Sequence, residues 1–286
     1  MDWYEHLATL ALQYGCFDNE AFLLLSKLPP KTLDPSRLWK EVPDDEKLIL
    51  FLKNNPNWFD KSKDMLQVLQ KVGAKVLHPL HADYPGQLQC LDKPPVFLSY
   101  LGSPCWKDFN CLSVVGSRQP SQLALQWLNE NLSELLSAHD LVLVSGAARG
   151  IDQAAHGVSL RRQKPTVAFL PSGLASPYPS IFKSWIPRIE KTGGAIMSEY
   201  IATEPMYAAH FHQRNRLIAG MSRVVVIIEA RRKSGTLITA NVALRSGRDV
   251  AVVPGFPGDP KYGASLDLIY DGACLLRDYK DIEVLF

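Results

Sequence analysis

Six short aliphatic runs constrain the fold of this chain more than any other feature. They cover residues 112–115, 140–145, 166–170, 195–198, 223–229 and 249–253. Most are continuous, as in TVAFL and RVVVIIE, and do not alternate apolar with polar residues. A strand covered on one face alternates, whereas a strand covered on both faces reads as an unbroken apolar run. The segments between these runs are amphipathic and of helical length. Strand and helix in turn predict an α/β domain, doubly wound on a mainly parallel sheet. In such sheets ligands bind outside the carboxyl ends of the strands.

The first third of the chain has a different texture. Leu7, Leu10, Ala11 and Tyr14 recur at helical spacing, as do Leu23, Leu24 and Leu28. Pro29-Pro30 breaks the run, Asp34-Pro35-Ser36 predicts a fresh helix start, and further helices are expected over 43–54 and 61–72. Residues 1–72 therefore read as a small helical N-terminal domain. It holds nine Lys/Arg against eleven Asp/Glu in residues 1–71, so it is not an electrostatic binder of nucleic acid. Residues 73–110 read as an extension leading into the main sheet. Lys75 to His78 and Val96 to Tyr100 are its short strands, with prolines that suit a sheet edge. Residues 111–286 form the α/β domain.

Bulk composition narrows the function classes. With 286 residues, 47% of them hydrophobic, the chain is an ordinary globular protein. A net charge of +2 excludes a basic field over the whole molecule, so any nucleic-acid site is a local patch. Cys16, Cys90, Cys105, Cys111 and Cys274 are scattered without a CxxC, which predicts free thiols and neither disulfides nor zinc. MDWYEHLATL has acids where a signal peptide needs basic residues, and no apolar run reaches membrane-spanning length. A cytoplasmic protein without membrane contact is expected.

The residues at the strand ends point to a ligand. Gly116-Ser117-Arg118 succeeds the first run, and Ser121 opens the next helix. A tight turn into a helix start offers backbone N–H groups to a phosphate, with the Arg118 fork aimed at the same place. The dinucleotide fingerprint GxGxxG is not met, because Arg118 and Ser121 stand where its later glycines belong. Ser145-Gly146 ends the second run and leads through Asp152 and His156. Ser234-Gly235-Thr236 lies beyond the fifth and opens another helix. Phe211, Arg214, Asn215 and Arg216 lie in HFHQRNRLIAG, where positive forks beside a ring fit a phosphate track with a stacking platform. Residues 211–250 carry eight Lys/Arg against two Asp/Glu, a local +6.

In order along the chain, DYP at 83–85, KPP at 93–95, VGSR at 115–118, SGAARGID at 145–152, PYP at 177–179, SEY at 198–200, FHQRNRLIAGMS at 211–222, EARRKSGTLITA at 229–240, GRDVAVVPG at 247–255 and LIYDGA at 268–273 together resemble the DNA-processing protein A family (DprA, also called Smf). The resemblance spans roughly residues 75–275. It implies an extended Rossmann-like fold that binds single-stranded DNA, forms homodimers and, in natural transformation, loads the RecA recombinase onto incoming strands. It implies no catalysis and no cofactor. Carried over residue by residue, the DNA site comprises Gly116, Ser117 and Arg118, then Ser145, Gly146, Phe211, Arg214, Asn215 and Arg216. Lys183 is the nearest basic residue after PYP, and Phe182 stands where the family commonly has asparagine. The helix-hairpin-helix-like glycine turn of the family is not evident in residues 1–72. The chain stops at Phe286, so a C-terminal winged-helix-like domain is not expected.

Two other readings compete. Nucleotide-monophosphate hydrolases of the lysine-decarboxylase-like group share a related fold with a Gly-Gly-x-Gly-Thr turn, which Ser234-Gly235-Thr236 echoes only in part. Asp152 and His156, at i and i+4, could form an acid–base pair, although a dipole-favoured aspartate beside a packed histidine is the commoner arrangement. Glu199 has no second carboxylate with it in its motif. His210-x-His212 supplies two nitrogens, which is short of a metal site. The third reading is a protein-interaction platform built on Leu244, Ile269 and Leu275, where the resemblance implies a dimer surface and leaves open whether the recombinase uses the same one.

Overall fold

The computed structural model describes residues 2–14, 19–28, 34–42 and 45–286. Cys16 and the Pro29-Pro30 break lie outside them. Helices α1 (Trp3–Tyr14), α2 (Asn19–Ser26), α3 (Glu46–Asn54) and α4 (Trp58–Lys71) come first. Asp45 caps α3 by accepting the Leu48 N–H at 2.9 Å. The start expected at Asp34-Pro35-Ser36 is a 3₁₀ turn, Pro35–Lys40, capped by Asp34 and fixed by the Trp58 indole N–H on the Pro35 carbonyl at 2.9 Å.

Strands β1 (Lys75–Leu77) and β2 (Leu98–Gly102) come next. Strict alternation then begins: β3 (Asn110–Gly116), α5 (Gln122–Ala138), β4 (Leu141–Gly146), α6 (Ile151–Arg161), β5 (Thr166–Phe169), α7 (Phe182–Lys191), β6 (Ala195–Ser198), α8 (Ala208–Met221), β7 (Val224–Ile228), α9 (Gly235–Arg245), β8 (Asp249–Val252), α10 (Gly263–Tyr270), β9 (Cys274–Leu275) and α11 (Lys280–Glu283). The six aliphatic runs are β3 to β8, with ends shifted by a residue or two. The two-residue β9 is too short to leave a periodic signal.

All nine described strands share one sheet, in the order β1-β2-β6-β5-β4-β3-β7-β8-β9. The β1–β2 and β2–β6 ladders are antiparallel, so among the described strands β2 alone runs against the others, and the remaining ladders are parallel. From β3 the chain steps outward to β6, then returns across the sheet to lay β7 against the other side of β3. The winding direction therefore reverses between β3 and β7, which opens a crevice at their carboxyl ends.

Both faces of the sheet are covered, as continuous apolar strands require. Leu112, Val114, Leu143, Val224 and Val226 pack on Leu128, Leu132 and Leu135 of α5 and on Ala155 and Val158 of α6. The intervening residues Val115, Val142, Val144, Val225 and Ile227 pack on Leu217 and Ile218 of α8 and on Ala240 and Ala243 of α9. Ala168 and Ile196 meet Phe182 and Ile189 of α7. The N-terminal helices have their own core around Leu7, Leu10, Phe22, Leu48 and Trp58, which joins Val76 and Phe97 of the extension.

Three buried histidines make this core sensitive to acid. His6 bonds Ser62 at 2.6 Å, His78 lies among the Tyr4, Phe22 and His81 rings, and His156 bonds Thr166 and Gly146, each at 2.7 Å. Burial pushes each of the three down from 6.5 to about 4. Between those two values the unfolded chain binds more protons than the folded one, so stability falls as pH falls through the window. Asp152, pushed up to about 6, and Glu199, also raised, act with the opposite sign because the folded state then holds the extra proton. Three rings outweigh two carboxyls. The urea midpoint is expected to be lower at pH 5 than at pH 7, and a midpoint unchanged or higher at pH 5 would contradict this balance.

Candidate nucleic-acid interface

The crevice is built by close backbone approach. A Cβ on Gly116 would fall 2.0 Å from the Ile228 carbonyl oxygen, so only glycine lets β3 end against β7. The Ser117 N–H donates to the Ile228 carbonyl at 3.3 Å, and the Ser117 carbonyl accepts the Ile151 N–H at 3.1 Å. Gly150, at φ +88°, lies against the same turn, where a Cβ would meet the Ser117 carbonyl at 2.3 Å. The Gly116-Ser117-Arg118 turn is thus clamped between β7 and the start of α6. Its Ser117 hydroxyl accepts the Gln119 N–H at 3.1 Å.

Arg118 leaves this rigid turn into solvent, and its guanidinium lies 4.7 Å from the centre of the Phe211 ring. Phe211 belongs to the first turn of α8 and is partly exposed. One turn further, Arg214 goes the other way. It is only 2% exposed and lies under the second turn, where a Cβ on Gly146 would fall 1.8 Å from its Nη1 and 2.4 Å from Oδ2 of Asp152. Its Nε and Nη1 have no hydrogen-bond partner among the described residues. Burial raises the Asp152 carboxyl, against the pull of the Arg214 charge, and burial lowers Arg214 against the pull of Asp152. Asn215 donates to the Gly235 carbonyl at 3.2 Å, and the Thr236 hydroxyl donates to the Gly116 carbonyl at 3.3 Å. Through these bonds α8, the start of α9 and the end of β3 converge. The Ser234 hydroxyl is buried there without a partner among the described residues.

Other residues of the expected site are occupied elsewhere. Ser145 is buried, and its hydroxyl donates to the Val114 carbonyl at 2.6 Å, so its side chain locks β4 to β3. Arg216 is ion-paired with Glu199, and its Nη1 is buried without a partner among the described residues. Lys183 is exposed on the first turn of α7 and forms no ion pair among the described residues. Leu244 and Leu275 are 52% and 45% exposed, on α9 and the edge strand β9, while Ile269 is half-buried against the core.

The helix-start nest also differs from expectation. Glu229, at the end of β7 with φ +56°, turns a fully buried carboxylate onto the start of α5 and accepts the Ser121 N–H at 2.7 Å. Ser121 in turn accepts the Ala124 N–H at 3.2 Å. Asp152 fills the equivalent place in the first turn of α6. A buried carboxyl group thus faces the start of α5 and another lies in the first turn of α6, whereas the start of α9 carries no side-chain cap bond. Arg149, on the loop between Gly146 and Gly150, is exposed and makes no ion pair among the described residues, one residue from the Gly150 contact with Arg118. Arg231 and Lys233 are exposed on the loop after β7, with Lys233 at φ +61°. Nothing in the string SGAARGID singles out Arg149, and only the packing of Gly150 on the Ser117-Arg118 backbone reveals its place.

The acid–base pair does not assemble. The Nε2–H of His156 donates to the Gly146 carbonyl, which leaves Nδ1 to take the Thr166 hydroxyl, so both ring nitrogens are engaged inside the fold. His210 bonds the Pro171 carbonyl at 3.0 Å and stacks on Tyr200 at 4.0 Å, whereas His212 is exposed.

Comparison with known proteins places this geometry. The sequence model of the family described as DNA recombination-mediator protein A matches residues 75–285. The DNA processing protein DprA of Streptococcus pneumoniae is 36% identical over 206 residues, which is 71% of each chain. The chain spans little more than half of two longer relatives named Protein Smf, 56% of the one from Synechocystis and 55% of the one from Escherichia coli. The X-ray structure of S. pneumoniae DprA superposes with a TM-score of 0.81 at 28% identity, covering 98% of both chains. A structure of DNA processing protein A from Helicobacter pylori, described for its single-stranded DNA binding mode, superposes with a TM-score of 0.64 at 25% identity over 73% of this chain and 93% of that one. With three-quarters of its length matched, the chain belongs to the DNA recombination-mediator protein A family, the DprA/Smf proteins.

Proposed function

We propose that this protein binds single-stranded DNA at the crevice between β3 and β7 and acts as a recombination mediator. In this role it protects incoming strands in the cytoplasm and hands them to the RecA recombinase. The Arg118–Phe211 pair carries this reading. It sets a cation, carried by a turn that three backbones hold rigid, beside a ring from the first turn of α8. Phosphates take charge-assisted bonds from cations without regard to sequence, and unpaired bases stack on rings. Arg149, Arg231 and Lys233 continue the positive rim on neighbouring loops. The H. pylori relative described for its single-stranded DNA binding supports the ligand, and the family description supports the recombination role. Binding and not turnover is the work proposed, since His156 has both ring nitrogens bonded inside the fold and Asp152 is buried beside Arg214.

The proposed units are a helical accessory module over 1–72, an extension over 73–110 and the DNA-binding domain over 111–286. Gly116, Ser117, Gly146, Asn215, Ser234, Gly235 and Thr236 shape the crevice, Arg214 beside Asp152 and Arg216 paired with Glu199 support it from below, and Lys183 extends it along α7. Arg118→Ala is expected to weaken binding of an oligothymidylate about 10-fold or more, as loss of a charge-assisted bond does. It should also lower the slope of log affinity against log salt by about 0.7, one phosphate contact on a single strand. A gel-shift series across salt concentrations measures both, and an unchanged affinity and slope would overturn the assignment of Arg118.

A homodimer through the face carrying Leu244, Ile269 and Leu275 completes the proposal. Leu244 on α9, Leu275 on β9 and Tyr270 on α10 are all exposed, Tyr270 to 90%, and β9 forms one edge of the sheet. The double variant Leu244→Arg, Ile269→Arg is expected to halve the mass measured by light scattering while keeping its circular dichroism. A folded variant of unchanged mass would remove this face from the dimer.

A further inference from the structure

Resting on the single-strand reading, we propose that Tyr178 is the stacking platform for an unpaired nucleobase and the residue that discriminates single strands from duplex. The Tyr178 ring stands edge to face with Phe211, centres 6.2 Å apart at 84°, and Phe211 in turn carries the Arg118 guanidinium at 4.7 Å. The three form a row from a phosphate-seeking cation to an aromatic ring at the open end. Tyr178 remains 41% exposed, and its hydroxyl has no hydrogen-bond partner among the described residues. A large aromatic side chain that fills no core and satisfies no buried group is idle for folding.

Its backbone is anything but loose. The Tyr178 N–H donates to the hydroxyl of Ser172 at 2.9 Å, Ser172 is fully buried, and the Ser172 carbonyl accepts the Ser198 hydroxyl at 2.8 Å. Four residues on, Phe182 closes the segment, donating its N–H to the Pro179 carbonyl at 3.0 Å while its ring is buried against His156. An exposed ring on an anchored loop loses little conformational freedom when a base lands on it. Tyr207 is more exposed but packs edge-on against His210, which is tied to the Pro171 carbonyl, and among the described residues no cation sits over its ring.

The chemistry selects the ligand. In a duplex each base is stacked on both faces within its own strand and has no face to offer, whereas a single strand exposes bases while its phosphates reach Arg118. The bound element is then one unpaired base on Tyr178 with the adjoining phosphate at Arg118. A ring platform is indifferent to base identity, since every base has a π face.

The test compares binding of an oligothymidylate with binding of an abasic oligomer of equal length, for the wild type, Tyr178→Ala and Tyr178→Phe. Tyr178→Ala is expected to bind the oligothymidylate about 5- to 150-fold more weakly, the range that stacking of one base supplies. Tyr178→Phe should stay within about twofold of the wild type, because the ring and not the hydroxyl does the stacking. The abasic oligomer should bind the wild type and Tyr178→Ala equally. An unchanged oligothymidylate affinity in Tyr178→Ala would overturn the proposal, as would an equal loss on the abasic oligomer, which would make Tyr178 a support for the backbone site. Failure of the folded wild type to bind either oligomer would overturn the single-strand reading itself, and this proposal with it.

Discussion

Gly116 brings three backbones into contact at the point where the sheet reverses its winding, and the rest of the crevice depends on that approach. A methyl group there would run into the Ile228 carbonyl of β7 and the Ile151 side chain of α6 together. Because β3 ends flush with β7, the next residues have nowhere to go except over the top of the sheet, where the Ser117 N–H and carbonyl are both bonded and Gly150 closes from the other side. The turn is consequently stiff, and stiffness fixes where Arg118 leaves it. A guanidinium presented from a rigid turn forfeits less entropy on meeting a phosphate than one at the end of a loose loop.

Charge at the crevice is distributed in a way that counting residues does not reveal. The +6 of residues 211–250 suggests a strong local field. Most of it is spoken for inside the fold. Arg214 is buried beside Asp152, Arg216 is paired with Glu199, and Arg223 bonds the Phe286 carbonyl at 2.9 Å. Arg232 makes a two-pronged pair with Asp267 at 2.7 Å, and Arg248 spreads over the Gln87 and Gly220 carbonyls and the Cys90 sulfur. Of that stretch Arg231, Lys233 and Arg245 stay open to solvent, and Arg245 closes α9 at the end far from the crevice. The rim gains instead from Arg118 and Arg149, which lie outside the stretch.

Elements carried by a repeating pattern were legible in the sequence, and those carried by distant partners were not. The continuous aliphatic runs located β3 to β8 and the mainly parallel character of the sheet, because burial on both faces leaves its mark on every residue of a strand. The glycines and small residues of GSR and SGT marked the strand ends for the same local reason. Ser145, by contrast, reads as a ligand-facing hydroxyl at a strand end, yet it is used up by Val114 on the neighbouring strand, thirty-one residues away in the chain. Arg214 and Arg216 sit two residues apart, and only the fold decides that one lies under Gly146 and the other against Glu199. The phosphate nest at Ser121 is undone by a carboxylate 108 residues downstream.

That carboxylate also separates this crevice from a dinucleotide site of the same topology. In the doubly wound dinucleotide folds the first helix start is left empty so that a pyrophosphate can take its dipole. Here Glu229 already occupies that position from the far side of the switch point, in a left-handed conformation that few glutamates adopt. An incoming phosphate at the start of α5 would meet a buried carboxyl group whose Oε1 has no partner among the described residues. It is therefore turned outward, toward Arg118 and the rings of Phe211 and Tyr178. A ligand held there rests on the solvent-accessible side chains of the rim and stays out of the start of α5, which sets this crevice apart from a dinucleotide cradle.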